Sequence, residues 1–454
     1  MNIPRLGCAL GLLVFTAGGA EAQTLKVPVE TFTLPNGLRV VVHEDHSVPL
    51  VAVNIWYHVG SGREVKGRSG FAHLFEHMLF QGSAHVGDDK HFAIVQEAGG
   101  TLNGSTNTDR TNYFELVPAN FLETALWLES DRMGFLLQAL TQAKLDNQRD
   151  VVKNERRQNY ENRPYGMTSI RGGELLYPAD HPYHWPTIGY QEDLTAASLD
   201  DVKNFFSQWY NPNNACLVIA GDVKAADAKR LATRYFADLP AGPKPAPFTV
   251  KPVVLDADQR EVIEDRVTLP QISLAWHTVP LWAPDDPALD VAAEILAQGK
   301  SSRLYQRLVY REQSAQNVSA FQFSRELAGS FMMSAQAREG FNLTQMETAI
   351  MEEVARLAKN GPTEDEMTRA RNGAEARSVY ALQTLLGKAD RINSYMTFRG
   401  TPDLFNQELE NVRKVTAADV KRVAQTYLTR PHVILSTVPN GKKELAAAAT
   451  GVQP

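Results

Sequence analysis

Cysteine is almost missing from this 454-residue chain: there are two, Cys8 and Cys216, too few for a disulfide framework. An excess of basic residues is missing as well. Lys and Arg total 46 against 52 Asp and Glu, a net charge of −6, so the chain lacks the positive footprint that nucleic-acid binding needs. No apolar run is long enough for a permanent bilayer span. The run from Gly7 to Ala17 follows Arg5 and precedes Ala20-Glu21-Ala22. That succession of charged, apolar and small-x-small segments predicts a signal peptide, residues 1–22, cleaved after Ala22, and export to the periplasm. Cys8 sits at a poor position for lipid attachment, so no membrane anchor is expected. Cleavage removes Arg5 and Glu21, one charge of each sign, and leaves Cys216 as the only cysteine. In the apolar run "ACLVIAG" it reads as a buried strand thiol.

What the chain does contain is 43% hydrophobic and 22% charged residues, a globular balance at a length suited to two domains of roughly 200 residues each. "LPAGPKPAPFTVKPVV", residues 239–254, is proline-rich and aperiodic and reads as a linker between a domain at 23–238 and another at 255–454. The two sides repeat each other. "SLDDVKNFFSQWYNPNNACLVIAGDV" from Ser198 lines up with "TAADVKRVAQTYLTRPHVILSTVPNG" from Thr416, at an offset of 218. Each begins with a capping residue and an acid three later, then gives a helix, a polar turn and a strand. "VNIWYHVGS" and "ISLAWHTVP" are matching strands, and the helices after them end in "LFQGS" and "LAQGKS", at an offset of 217. A tandem duplication explains both. "TFTLPNGLRVVVHED" predicts a hairpin around Pro35-Asn36-Gly37, and "TLNGSTNTDRTNYFELVP" two short strands around a polar turn. The fold class expected is α+β: two homologous domains, each a largely antiparallel sheet with helices on one face, together half a clamshell.

Within the first repeat lies "SGFAHLFEHMLFQG", residues 69–82. On a helix His73 and His77 fall one above the other, with Glu76 beside them. Two imidazoles at this spacing can bind one Zn²⁺, and the adjacent carboxylate can serve as a base: the inverse of H-E-x-x-H. The bland alternative is an exposed polar face on a helix whose Ala72, Phe75, Met78 and Leu79 enter the core. Comparison with the duplicate weighs against it. At the offset of 217, His73, Glu76 and His77 become Asp290, Ala293 and Glu294, whereas Leu79 stays leucine at Leu296. The polar set is therefore not needed for packing. A catalytic zinc wants a third protein ligand. Spacing alone does not choose among Glu97, Asp109, Glu115, Glu123, Glu129, Asp131, Asp146, Asp150, Glu155 and Glu161. The other histidines, such as His43, His46, His58, His85 and His91, are scattered singly, which disfavours a zinc-storage protein.

The helix motif, followed by "NGSTNTDRTNYFELV" and "RDVVKNERR", resembles the pitrilysin (M16) family of inverted-motif zinc peptidases, over essentially the whole mature chain. The family includes insulin-degrading enzyme and the mitochondrial processing peptidases, and the likeness is closest to bacterial members of this length. It implies one Zn²⁺ per chain held by His73, His77 and Glu155, the last lying 78 residues after His77. It implies Glu76 as general base in hydrolysis of small or unfolded peptides. Gln148 stands where the family often has a second acid. Asn103 and Gly104 fall where the family has an edge strand that pairs with extended substrate.

One departure shapes the expected partner. The family's second half supplies an arginine and, seven residues on, a tyrosine that grip substrate. Here the two positions are Val309 and Gln316, in "SSRLYQRLVYREQSAQNVSA". Arg303 and Tyr310 have the spacing in the wrong register, and Arg303, Arg307 and Arg311 read as a solvated basic face. The expectation is the catalytic subunit of a two-chain peptidase, a heterodimer whose homologous non-catalytic subunit carries the Arg/Tyr pair, with a homodimer as runner-up. The alternative is a non-enzymatic peptide-binding or assembly subunit of the same fold, against which the intact His73/Glu76/His77/Glu155 set argues.

Overall fold

The computed structural model describes residues 24–246 and 248–448, and the expected signal peptide lies outside the described residues. Two sheets form the frame. The first runs β1-β2-β6-β3-β5-β4, from β1 (Glu30–Thr33), β2 (Arg39–Glu44), β3 (Leu50–Tyr57), β4 (Thr101–Thr106), β5 (Thr111–Pro118) and β6 (Ala215–Gly221). The second runs β7-β11-β8-β10-β9, from β7 (Gln259–Asp265), β8 (Gln271–Thr278), β9 (Ala315–Phe323), β10 (Gly329–Ala337) and β11 (Val433–Pro439). Only β2–β6 and β7–β11 pair in parallel. Without β1 the two orders are the same, so the duplication read from sequence is visible in the topology. Residues 239–246 and 248–254 carry neither helix nor strand.

Both hairpins form where turn chemistry placed them. Thr33 pairs with Arg39 across a turn in which Gly37 takes φ +89°. Thr106 pairs with Thr111 across a turn in which the Asn107 side-chain oxygen accepts the Asp109 and Arg110 amides. Ser198 and Thr416 each head a capping box, completed by Asp201 and Asp419. The strands that follow are related by one residue less. Ala215, Leu217 and Ile219 face the first core, but Val433 and Leu435, their partners at 218, face the opposite side of their sheet. Ile434 and Val438 enter the second core instead. The period of two along a strand makes the offset there odd, so the turn before the strand is one residue shorter in the second half.

Each half packs its own helices on one face of its sheet, and the other face is covered from the opposite half. Met167–Leu176 of the first half lies against β11, β8 and β7, and Leu385–Arg399 of the second lies against β6 and β3. These helices start 218 residues apart, so the exchange is reciprocal, as in an isologous dimer joined into one chain. Val41, Cys216, Val218 and Ala220 pack there against Ala389, Ile392, Tyr395 and Met396. Cys216 is the buried strand thiol expected, and burial pushes its pKa up to about 12.

The homologous hairpin tips also meet. Asp109, in the β4–β5 turn, accepts the backbone N–H of Glu326, in the β9–β10 turn, at 2.9 Å, and the Tyr183 hydroxyl on its other oxygen. Glu326 pairs with His58 at 2.8 Å and Arg63 at 3.2 Å. Arg325 donates to the Tyr177 hydroxyl at 2.6 Å and lies 4.0 Å from the Tyr183 ring. His181 stacks on the Tyr177 ring and His277 meets it edge to face, with centroids at 4.5 and 5.0 Å. Burial, and then the Arg325 charge, lowers both imidazoles from 6.5 to about 4. A depressed folded pKa gives stability that is fully present above the unfolded value, near 6.5, and lost as pH falls toward 4. Thermal melting should therefore show a falling midpoint over that window. The double substitution His181→Phe, His277→Phe should flatten that part of the profile, and an unchanged slope would contradict the assignment.

Candidate metal centre

The helix α1 (Phe71–Met78) carries the motif, and buried carboxylates fix where it begins. Glu64 accepts the N–H groups of Gly70 (2.9 Å) and Ala72 (2.8 Å), placing an acid at the positive end of the helix. Burial drives the Glu64 pKa up against those hydrogen bonds. Asp193 accepts the Ser69 N–H at 3.0 Å and its hydroxyl at 2.6 Å. Gly70 takes φ +88° and packs so close to Gly189 that a Cβ would stand 2.8 Å from its Cα. Phe71, Ala72, Leu74, Phe75 and Met78 are buried on one side. His73, Glu76 and His77 are half-buried on the other.

The third donor arrives on the next long helix but one. Glu155, near the end of Gln142–Arg156, places Oε2 3.1 Å from His77 Nε2 and 3.7 Å from His73 Nε2. Ligand atoms of all three lie within 4.8 Å of one another. Four-coordinate zinc with bonds of about 2.0–2.1 Å sets its ligand atoms roughly 3.4 Å apart, and the two observed separations bracket that value. The protonation states fit too. Burial and the neighbouring His77 lower His73 to about 4, which keeps a free lone pair on the imidazole at neutral pH. The His77 contact holds the Glu155 carboxyl below its ordinary value, as a carboxylate. Nδ1 of His73 is buried without a hydrogen-bond partner among the described residues.

The remaining candidate acids are engaged elsewhere or lie apart. Glu115 and Glu129 are fully buried against Arg132, at 3.1 and 2.9 Å. Asp131 holds His85 and Ser83, Glu123 holds Arg234, Asp146 holds Arg149, Glu161 holds Arg156, and Asp109 sits at the hairpin junction. Glu97 and Asp150 are not brought to the histidines.

Glu76 stays outside the donor set. Burial raises its pKa, opposed by a hydrogen bond with the Thr106 side chain at the end of β4. A carboxyl moved toward neutrality beside three candidate metal donors has the character expected of a general base. Gly104 has a reason of its own to be glycine: a Cβ there would stand 3.1 Å from Glu76 Cγ and 3.2 Å from the Phe80 and Tyr113 rings. β4 is the outer strand of its sheet, with Asn103 exposed. The Gly104 N–H donates to the Asn103 side-chain oxygen at 2.9 Å, which covers an edge amide. Gln148 is buried on the Glu155 helix.

The second half holds a counterpart that motif comparison alone did not reveal. Thr141 and Thr363 cap equivalent helices, and counting from them sets Arg377 in the place of Glu155. Arg377 pairs with Glu294, the counterpart of His77, at 2.6 Å. Two imidazoles and a carboxylate in one half thus correspond to two carboxylates and a guanidinium in the other, which carries its cation within the chain. The solvated arginine face expected after Ser302 is corrected at Arg303 and Arg307, while Arg311 is exposed as expected. Arg303 is buried in a two-point pair with Glu366 (2.7 and 2.8 Å) and also donates to the Gly361 carbonyl. Arg307 pairs with Glu312 and Glu352. Tyr310 is 69% exposed, Val309 packs on the core and Gln316 is exposed.

Two family models match the chain: "Insulinase (Peptidase family M16)" over residues 39–168 and "Peptidase M16 inactive domain" over residues 196–374. A zinc protease named PqqE from Helicobacter pylori is 29% identical over 429 residues, covering 93% of this chain and 95% of that one. A probable mitochondrial-processing peptidase subunit beta from Arabidopsis thaliana is 26% identical, covering 89% of this chain and 77% of its own. Among solved structures, a protease from Helicobacter pylori superposes with a TM-score of 0.86 at 27% identity, covering 91% of this chain and all of that one. No helix among the described residues is long and apolar enough to cross a membrane.

Proposed function

For a chain that belongs to the M16 peptidase family, we propose the function of a zinc metalloendopeptidase acting on small or unfolded peptides, with His73, His77 and Glu155 as metal ligands and Glu76 as general base. The observation that carries the reading is the convergence of three donors from two helices, with Glu76 alongside but outside the set. Zinc bound there supplies Lewis acidity toward a peptide carbonyl and water. The chain's own residues do the rest. Glu76, its carboxyl destabilised as an anion by burial, takes a proton from the attacking water and returns it to the leaving amine. The β4 edge offers backbone hydrogen bonds to an extended peptide once the Asn103 side chain turns away from the Gly104 amide.

The same proposal includes a partner. Val309 and Gln316 offer no grip for substrate, and Arg303 is already committed to Glu366. A homologous chain with an arginine and tyrosine at those positions would complete the site in the periplasm, where the amino-terminal segment directs export. The similarity to a mitochondrial-processing peptidase subunit supports a paired arrangement. Purified chain should bind about one zinc, cleave a quenched unfolded peptide, lose cleavage to a chelator and regain it with zinc. Addition of the homologous chain should accelerate cleavage. Equal rates with and without every such chain would end the subunit proposal. Stoichiometric zinc without cleavage in any pairing would favour the non-enzymatic peptide-binding reading.

A further inference from the structure

Glu155 has two carboxylate oxygens, and the structure treats them differently. Oε2 faces the Nε2 atoms of His73 and His77, whereas Oε1 accepts a hydrogen bond from Asn159 Nδ2 at 3.3 Å. Asn159 lies just past the α-helix, within a π-turn over Arg157–Glu161. Such turns are rare and recur at functional sites. Although Asn159 itself is exposed, the turn that carries it is held firmly. The buried Arg156 donates to Glu161 at 3.1 Å and to the Gly189 carbonyl at 2.6 Å. The Asn162 N–H reaches back to the Arg157 carbonyl at 2.7 Å, and Tyr160 packs on the first core.

We propose that Asn159 is a positioning residue that restrains Glu155 to one-oxygen coordination of the metal. The inference rests on the zinc reading above and deepens it. A catalytic zinc needs three protein ligands and an open position, and a carboxylate free to chelate through both oxygens would fill that position. By occupying Oε1, the Asn159 amide keeps it clear. Outer-shell partners of this kind typically change activity or affinity 10–100-fold when removed.

Cobalt(II) substituted for zinc provides a direct readout, because four-coordinate cobalt absorbs visible light far more strongly than five-coordinate cobalt. Wild type should bind about one cobalt with the intense band. Asn159→Ala should bind the same amount with a weakened band, and with zinc should turn peptide over roughly tenfold more slowly. Asn159→Gln, which keeps an amide donor on a longer stem, should retain more of both. An Asn159→Ala spectrum equal to wild type, or loss of the metal altogether, overturns the positioning role while the zinc site stands. Failure of the wild-type chain to bind stoichiometric cobalt or zinc removes the zinc reading itself. A merely structural role would alter the melting temperature and leave the band unchanged.

Discussion

Replacing Glu76 with glutamine should lower peptide turnover by roughly 10²–10⁴-fold while zinc stays at about one per chain. The substitution keeps the shape of the side chain and its contact with Thr106, and removes only the capacity to accept a proton. His73, His77 and Glu155 are untouched, so metal content and melting temperature should match wild type. Elemental analysis beside a peptide-cleavage assay checks both halves of the expectation. Glutamine-variant turnover within a few-fold of wild type would exclude Glu76 as the base. Loss of zinc in the same variant would instead place Glu76 among the ligands, which its position outside the donor cluster argues against.

His77→Ala should have an equally large effect by the opposite route: zinc falls from about one per chain to near zero, and cleavage falls with it. His77 makes the nearer approach to Glu155, at 3.1 Å, and without it His73 and Glu155 remain as a two-ligand site. The helix itself should survive. Its packing comes from Phe71, Leu74, Phe75 and Met78, and its start from Glu64 and Asp193, none of which touches the imidazole's role. The apo wild-type protein and apo His77→Ala should therefore melt together. A variant that keeps its zinc through dialysis would show that the metal is held elsewhere.

Much of this was legible in the residues because the signals were local. The helix spacing of His73, Glu76 and His77, the turn residues around Asn36 and Asn107, and the capping boxes at Ser198 and Thr416 each act within a few positions. The duplication added a comparison inside the chain, enough to separate polar residues kept for chemistry from apolar ones kept for packing. What depended on tertiary placement was not legible. By spacing alone ten acids stood open as the third ligand, and only the family resemblance singled out Glu155; the fold engages most of the others in ion pairs and hydrogen bonds. Arg303 was misjudged because its partner, Glu366, lies 63 residues away on a helix whose approach no periodicity announces. Glu64 carries no motif at all, and its role at the start of α1 follows only from where the loop folds back. The crossover helices were missed for a related reason: an amphipathic pattern says that a helix has a buried face, not whose sheet it covers.

That exchange makes the molecule harder to divide than its sequence suggests. A segment cut out at residues 24–238 would keep every residue of the metal centre, yet it would leave behind Leu385–Arg399 and expose Val41, Cys216, Val218 and Ala220 to water. It would also carry Met167–Leu176 outward with no sheet to cover. Burial of each sizeable apolar side chain is worth about 1.5–3 kcal/mol, comparable with a good part of a domain's net stability. A nick in the proline-rich connection is a different matter, since it breaks one covalent bond and none of these contacts. The half that carries the candidate metal centre thus depends on its duplicate for solubility and shape, and selection can preserve the duplicate for that service alone.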